Sequence, residues 1–273
     1  MTLRAVQPLD LPNLVAAEIG AAARPAFVEV DPRQLWVDEA YQRDLSDKSR
    51  RLIKKIVANW SWAQFKPPVV VRVDGVLHLI DGQHTAIAAV THGGIVRLPV
   101  MLVEAAEIGD RARAFVGHNR DRVAVTPQQT FFAELAAGDE TALTIAQVCD
   151  RACIKILKFP PSRGAFETGE TVAVGAIRTL IDRRGPVRAR KVLQALALCA
   201  PVGASWIKAA EALLYAEEYL GLFDPDALSL VVNGLCGEVP AQAVTLAAAK
   251  KLPLWRALVI VVADRRRRVR SAA

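Results

Sequence analysis

Asp81-Gly82-Gln83-His84-Thr85-Ala86-Ile87-Ala88-Ala89 places a glycine turn between an apolar strand and the start of a helix. Val76-Leu77-His78-Leu79-Ile80 reads as the strand, Asp81-Gly82 as the turn, and Gln83 to about His92 as a helix that Gly93-Gly94 terminates. The first amides of such a helix have no intrahelical acceptor and sit at the positive end of its dipole. Gly82 presents no Cβ to an approaching anion, and His84 and Thr85 add side-chain donors. The spacing therefore suits a phosphate. A plainer reading makes Asp81 the N-cap of an ordinary strand-to-helix turn.

Outward from this stretch the pattern continues in both directions. Asp31-Pro32 and Tyr41-Gln42-Arg43 precede a basic amphipathic helix expected from Asp47 to Trp60. Lys66-Pro67-Pro68 then leads into a strand, Val69-Val70-Val71-Arg72-Val73, which Asp74-Gly75 joins to Val76–Ile80 as a two-residue hairpin turn. Downstream lies Phe115-Val116-Gly117-His118-Asn119-Arg120-Asp121-Arg122-Val123-Ala124-Val125-Thr126-Pro127.

This order resembles the ParB/sulfiredoxin-like (ParB N-terminal-like) domain, and in particular the ParB-like proteins of phages, plasmids and other mobile elements, over residues 26–125. The resemblance implies an α+β fold in which a small mixed-sheet domain precedes an all-helical one. It also implies a nucleotide, CTP or ATP, at Gly82, Gln83, His84 and Thr85, with Mg as an optional companion. Asn119 and Arg122 match the Asn-x-x-Arg stretch that closes the ParB nucleotide pocket. In a simpler reading Asn119 only ends a helix running from about Glu104.

The chain departs from the family at two positions. Gln83 stands where sulfiredoxins carry a reactive cysteine, so thiol repair chemistry is not expected. Thr85 stands where an arginine is usual, which removes a guanidinium fork from the terminal phosphate. Arg43, Arg97, Arg120 and Arg122 are the candidates to replace it.

Composition bounds the rest. With 273 residues, 52% of them hydrophobic, the chain has material for two domains with real cores. Its longest apolar run, Ala257–Ala263, is far shorter than the roughly 20 residues of a membrane span. Asp10 and Glu18 interrupt any amino-terminal signal pattern, so a cytoplasmic protein without membrane contact is expected. Of Cys149, Cys153, Cys199 and Cys236, only the first two are close, and no histidine completes a metal set beside them.

Past Thr126-Pro127 the period becomes helical, with threonine as N-cap and proline at the first helical position. Helices are expected from Gly138-Asp139 to about Cys153, then near Val172–Arg184, Val187–Cys199, Trp206–Leu220, Ala227–Leu235 and Pro240–Ala249. A helix-turn-helix between Thr144 and Arg163 would be interrupted by Lys158-Phe159-Pro160-Pro161. The expected organisation is an arm over 1–25, the mixed-sheet domain over 26–125, the helical domain over 126–263 and a basic tail over 264–273.

The formal net charge is +7, and Arg265, Arg266, Arg267, Arg268 and Arg270 account for all but two of it. Such a cluster is either a phosphate-backbone contact or a solvated end. Lys48, Arg51 and Lys55 on the first helix, and Arg183, Arg184, Arg188, Arg190 and Lys191 around Gly185-Pro186, add two more basic groups and favour DNA as a partner. Trp60 and Trp62 are either core or base-stacking side chains.

The expectation is thus a ParB-like nucleotide-binding protein acting on DNA, in which nucleotide at Gly82-Gln83-His84 orders residues 115–127 as a switch. Two alternatives stay open. One is a nucleotide-dependent phosphotransferase, hydrolase or nuclease using Asp81, His84 and Glu104 for acid–base or metal work. The other is a structural phage or plasmid component with a degenerate pocket. Whether the chain forms a homodimer is equally open.

Overall fold

The computed structural model describes residues 5–16, 24–38, 45–105, 107–120, 124–234 and 240–271, with side chains up to 267. The chain divides into two compact units, residues 1–123 and 124–273.

The first unit opens with β1 (Ala26–Val30), followed by a 3-10 turn at Pro32–Gln34 and β2 (Leu35–Val37). Asp31 caps the turn, its carboxylate accepting the Arg33 amide at 2.9 Å. That bond holds the Asp31 carboxyl below its ordinary range, with further help from the Arg33 guanidinium and a weaker pull from Arg97. There follow α1 (Asp47–Ala58), β3 (Val69–Val73), β4 (Val76–Asp81), α2 (Gln83–His92), β5 (Leu98–Val103) and α3 (Ile108–Arg120). The strands form one mixed sheet in the order β1-β5-β3-β4-β2. β1 pairs antiparallel with β5, β5 parallel with β3, β3 antiparallel with β4, and β4 parallel with β2.

Local chemistry explains most of this. Asp74 and Gly75 have φ of 48° and 81°, and two successive positive values make the tight turn whose twist matches a hairpin. The alternation along β3 and β4 then splits the apolar residues between the two faces of the sheet. Val70, Leu77 and Leu79 pack with Ala86 and Ala89 of α2 on one face, and Val69, Val71 and Ile80 with Ala105, Ala114 and Phe115 on the other. The buried alanines of α2 let that helix lie close to the sheet. The register of β3 against β4 skips Ile80, since Val70 faces Leu79 and Val69 faces Asp81. This bulge is what aims Asp81 at the end of the strand.

The first helix is shorter than expected, ending at Ala58 rather than Trp60, because the Asn59 side-chain amide folds back to donate to the Lys55 carbonyl at 3.0 Å. α3 likewise starts at Ile108, four residues after Glu104, and Asn119 lies inside its last turn, donating to the Phe115 carbonyl at 2.9 Å. Trp60 is half-buried, with Trp62 edge-on at 5.4 Å and Phe65 at 5.8 Å, while Trp62 is 55% exposed.

The second unit contains α4 (Pro127–Ala136), α5 (Glu140–Arg151), β6 (Lys155–Ile156), β7 (Glu170–Thr171), α6 (Val174–Gln194), α7 (Ala204–Tyr215), α8 (Pro225–Asn233), α9 (Ala241–Lys250) and α10 (Leu254–Ser271). Thr126 and Gln129 form a reciprocal capping box ahead of α4, and the Asp139 carboxylate caps α5 through the Ala142 amide. A single core gathers Ile145, Ile177, Leu193, Ile207, Leu213, Leu228, Leu258 and Val262.

Three expectations are corrected here. The unit is not wholly helical: β6 and β7 form a short parallel pair on either side of Lys158-Phe159-Pro160-Pro161, the stretch expected to interrupt a helix-turn-helix. The helices expected at Val172–Arg184 and Val187–Cys199, by contrast, stand as the two segments of α6 on either side of a break at Gly185, whose φ of 75° and ψ of 163° turn the backbone ahead of Pro186. The arginines placed in a basic tail belong to α10, because the apolar turn Ala257–Ala263 is buried and the helix runs on from it to Ser271. The helix expected to reach Leu220 also stops at Tyr215, where Ala216 turns to extended backbone.

The strand pair rests on Glu170, which is 5% exposed. Its carboxylate accepts the Lys155 ammonium at 2.8 Å and the Glu167 amide at 2.9 Å, and both hold it below the ordinary carboxylate range. A carboxyl depressed in the folded state stabilises above its unfolded pKa, near 4.5, and loses that contribution as pH falls towards the folded value. Glu170→Gln is therefore expected to lower the melting temperature at pH 6 and to approach the parent as the pH falls below about 4.5 and through the folded value. Parallel melting curves over that interval would contradict the linkage.

Candidate functional site

In the first unit α1, α2 and α3 surround a cavity of about 520 Å3. Its wall carries Asp81, Gly82, Gln83, His84 and Thr85 from the end of β4 and the first turn of α2, Ser46 and Ser49 from the start of α1, Lys66 and Pro67 from the approach to β3, and Phe115 and Asn119 from α3.

Each group is placed by its own local structure. Gly82 is the N-cap of α2 at φ 93°, a conformation few other residues tolerate, and no side chain caps this end. The first intrahelical bond runs from the Ala86 amide to the Gly82 carbonyl, so the amides of Gln83, His84 and Thr85 stand ahead of it. The Ser46 hydroxyl caps α1 by accepting the Ser49 amide at 3.2 Å and lies 3.1 Å from the Ser49 hydroxyl. Two helix N-termini thereby meet at the cavity, each bringing the positive end of its dipole. Lys66 adds a cation 4.0 Å from the Asp81 carboxylate, whose side chain is 20% exposed. A smaller cavity of about 230 Å3 shares Leu52, Ile56, Lys66 and Thr85 with the first and takes apolar surface from Trp60 and Phe65 as well.

The expected residues divide clearly. Asp81, Gly82, Gln83, His84, Thr85 and Asn119 all line the large cavity. Arg43 and Arg122 lie outside the described residues. Arg97, Arg120 and Glu104 are exposed and are not among the lining residues, so among the described residues the one carboxylate there is Asp81. Ser46, Ser49 and Lys66 went unread as site residues, although a serine directly before an amphipathic run is a recognisable cap signal. In the second unit, Arg265 donates to the Gly234 carbonyl at 3.4 Å and Arg267 pairs with Asp264 at 3.7 Å. Arg266 is half-buried, and the side chains of Arg268 and Arg270 lie outside the described residues.

Cys149 and Cys199 are buried, and burial pushes both thiols up to about 12, while Cys153 is exposed and Cys236 lies outside the described residues. Among the described residues there is no metal-sized cluster of His, Cys, Asp or Glu, and no helix is long and apolar enough to cross a membrane.

The chain is thus an α+β protein in which a mixed-sheet unit with an anion-suited cavity precedes a largely helical unit. No family model matches it, and no curated protein does. Solved structures similar to it include ParB proteins. The C-terminally truncated chromosome-partitioning protein ParB from Caulobacter crescentus complexed with CTP-γ-S is 12% identical with a TM-score of 0.40, over 67% of this chain and 98% of that one. The same protein complexed to the centromeric parS site is 11% identical with a TM-score of 0.28, over 76% and 99%. A Pnob8-like ParB-N domain is 15% identical with a TM-score of 0.29, over 78% and 82%.

Proposed function

We propose that the first unit binds a nucleotide in the large cavity and that the second unit contacts DNA. The observation that carries the nucleotide is the convergence of Gly82–Thr85, Ser46, Lys66 and Asn119 on one cavity of about 520 Å3. These groups come from three helices and a loop, and they combine free-standing helix amides with hydroxyl, ammonium, imidazole and carboxamide donors. Such a set fits a phosphate chain. The smaller cavity, with the apolar surface of Trp60 and Phe65, then offers room for the base. Asp81 is the lining group suited to hold Mg against the phosphates, since that ion is commonly bound through one or two carboxylates together with phosphate oxygens. The DNA contact is supported by the basic groups of the helical unit, including the arginines of α10.

The binding step is read directly by melting the protein with CTP, ATP, ADP and GTP, each with and without Mg, because a ligand that binds only the folded state raises the melting temperature. One of these nucleotides is expected to do so. His84→Ala should then weaken it by about 1.5–3 kcal/mol, the usual worth of a hydrogen bond to a charged group. Absence of any shift across the panel, with inorganic phosphate also inactive, overturns the assignment and selects a degenerate pocket. Turnover of the bound nucleotide would instead select an enzyme built on Asp81 and His84.

A further inference from the structure

In the second unit, α6 and α7 enclose a cavity of about 260 Å3 whose charged lining is Arg183, Arg184, Lys208 and Glu211. Glu211 is buried at 6% exposure, and its carboxylate accepts from Arg184 at 2.8 Å and from Arg183 at 3.2 Å. One carboxylate therefore serves two guanidiniums, with Lys208 one turn away on the same helix. The arrangement leaves two positive charges uncompensated within the lining.

The guanidiniums are also ordered. Arg184 and Arg188 each lie 5.6 Å from the Tyr215 ring centroid, which fixes them by cation–π contact. The break at Gly185 makes Pro186 the first residue of a second helical segment, so a positive dipole end is added beside them. Arg183 keeps 58% of its side chain in solvent, and Lys208 is exposed. A structural ion pair needs one cation for Glu211. Here the buried carboxylate holds two arginines in fixed positions while surplus charge faces outward, and holding long side chains in place lowers the entropy lost on binding.

We infer that this ledge, formed by Arg183, Arg184, Arg188 and Lys208 around the α6 break, contacts the phosphate backbone of duplex DNA. The inference rests on the DNA contact proposed above and places its centre on α6 and α7 rather than on α10. Phosphate contacts of this kind carry no direct sequence information, so the ledge would orient the duplex without reading it.

The test uses the full chain and two duplexes of unrelated sequence, with affinity measured across a salt series. Each phosphate neutralised contributes about 0.9 to the slope of log affinity against log salt. Arg183→Gln combined with Lys208→Gln should flatten the slope by roughly 0.9–1.8 for both duplexes alike, with little change in melting temperature because both side chains are largely exposed. A parent-like slope in the double variant overturns the ledge while leaving the DNA contact standing elsewhere. No duplex binding by the parent chain, or binding of single-stranded RNA alone, overturns both. Should the double variant fail to fold, acetylation of the parent chain decides: protection of Lys208 by duplex supports the ledge, and equal modification with and without duplex overturns it.

Discussion

Gly82→Val should cost the first unit roughly 2–5 kcal/mol, a large share of the roughly 5–15 kcal/mol that holds an ordinary domain folded. Two causes add. The residue sits at φ 93°, where a β-branched side chain is strained, and a Cβ built there would lie 2.8 Å from the Pro68 Cα and 2.9 Å from its Cβ. The loop before β3 cannot give way, because the Pro68 carbonyl accepts the Met101 amide at 2.8 Å and Val69 enters the sheet at the next position. From the sequence, the glycine is accounted for by the approach of an anion. In the structure it is demanded by the neighbouring chain. The two accounts separate experimentally: Gly82→Val is expected to melt far below the parent in the absence of any nucleotide. A variant that keeps its melting temperature and loses only nucleotide affinity would restore the anion account.

Arg184→Met should destabilise the second unit by roughly 2–4 kcal/mol, since removing one partner of a buried pair leaves a charge without full compensation. Glu211 is the group at risk. Its side chain is 8% exposed, and after the substitution it would retain only Arg183, which is farther away and 58% exposed. The methionine keeps the aliphatic volume but cannot donate, so packing loss is a minor part of the effect. For a unit of this size the expected fall in melting temperature is roughly 4–16 °C. The double change Arg184→Met with Glu211→Met should recover much of it, because replacing both partners removes the buried charge as well. A single variant as stable as the parent would show that Glu211 draws little from Arg184.

The strands Val69–Val73 and Val76–Asp81, their Asp74-Gly75 turn and the helix Gln83–His92 all stand where the residues place them, within one position at each end. These features depend on neighbours a few positions away: alternation sets the sheet faces, two positive φ values set the turn, and glycines close the helix at both ends. The Thr126 cap ahead of Pro127 is legible for the same reason. The candidate cavity is only partly so. Gly82–Thr85 announce themselves, whereas Ser46, Ser49 and Lys66 join them through the packing of α1 against α2. Asn119 has two readings in the sequence, and the structure holds the features of both: it lies in the last turn of α3 and also lines the cavity wall.

Long-range contacts account for the remainder. Nothing near Glu170 signals that Lys155, fifteen positions earlier, will pair with it and hold a strand pair inside a helical unit. Arg183 and Arg184 read as part of a basic group suited to DNA, and nothing in the sequence signals that Glu211, one helix further on, turns inward to meet them. The arginines of α10 look like a tail because their charge dominates their composition, yet the buried turn before them extends the helix through their positions. Element type and turn chemistry are therefore written in short stretches of residues, where backbone sterics and hydrogen bonding act on adjacent positions. Which charges are buried, which glycine is crowded and which side chains share a cavity follow from packing between segments distant in the chain, where the cost of an unpaired charge or an overlapping atom chooses the arrangement.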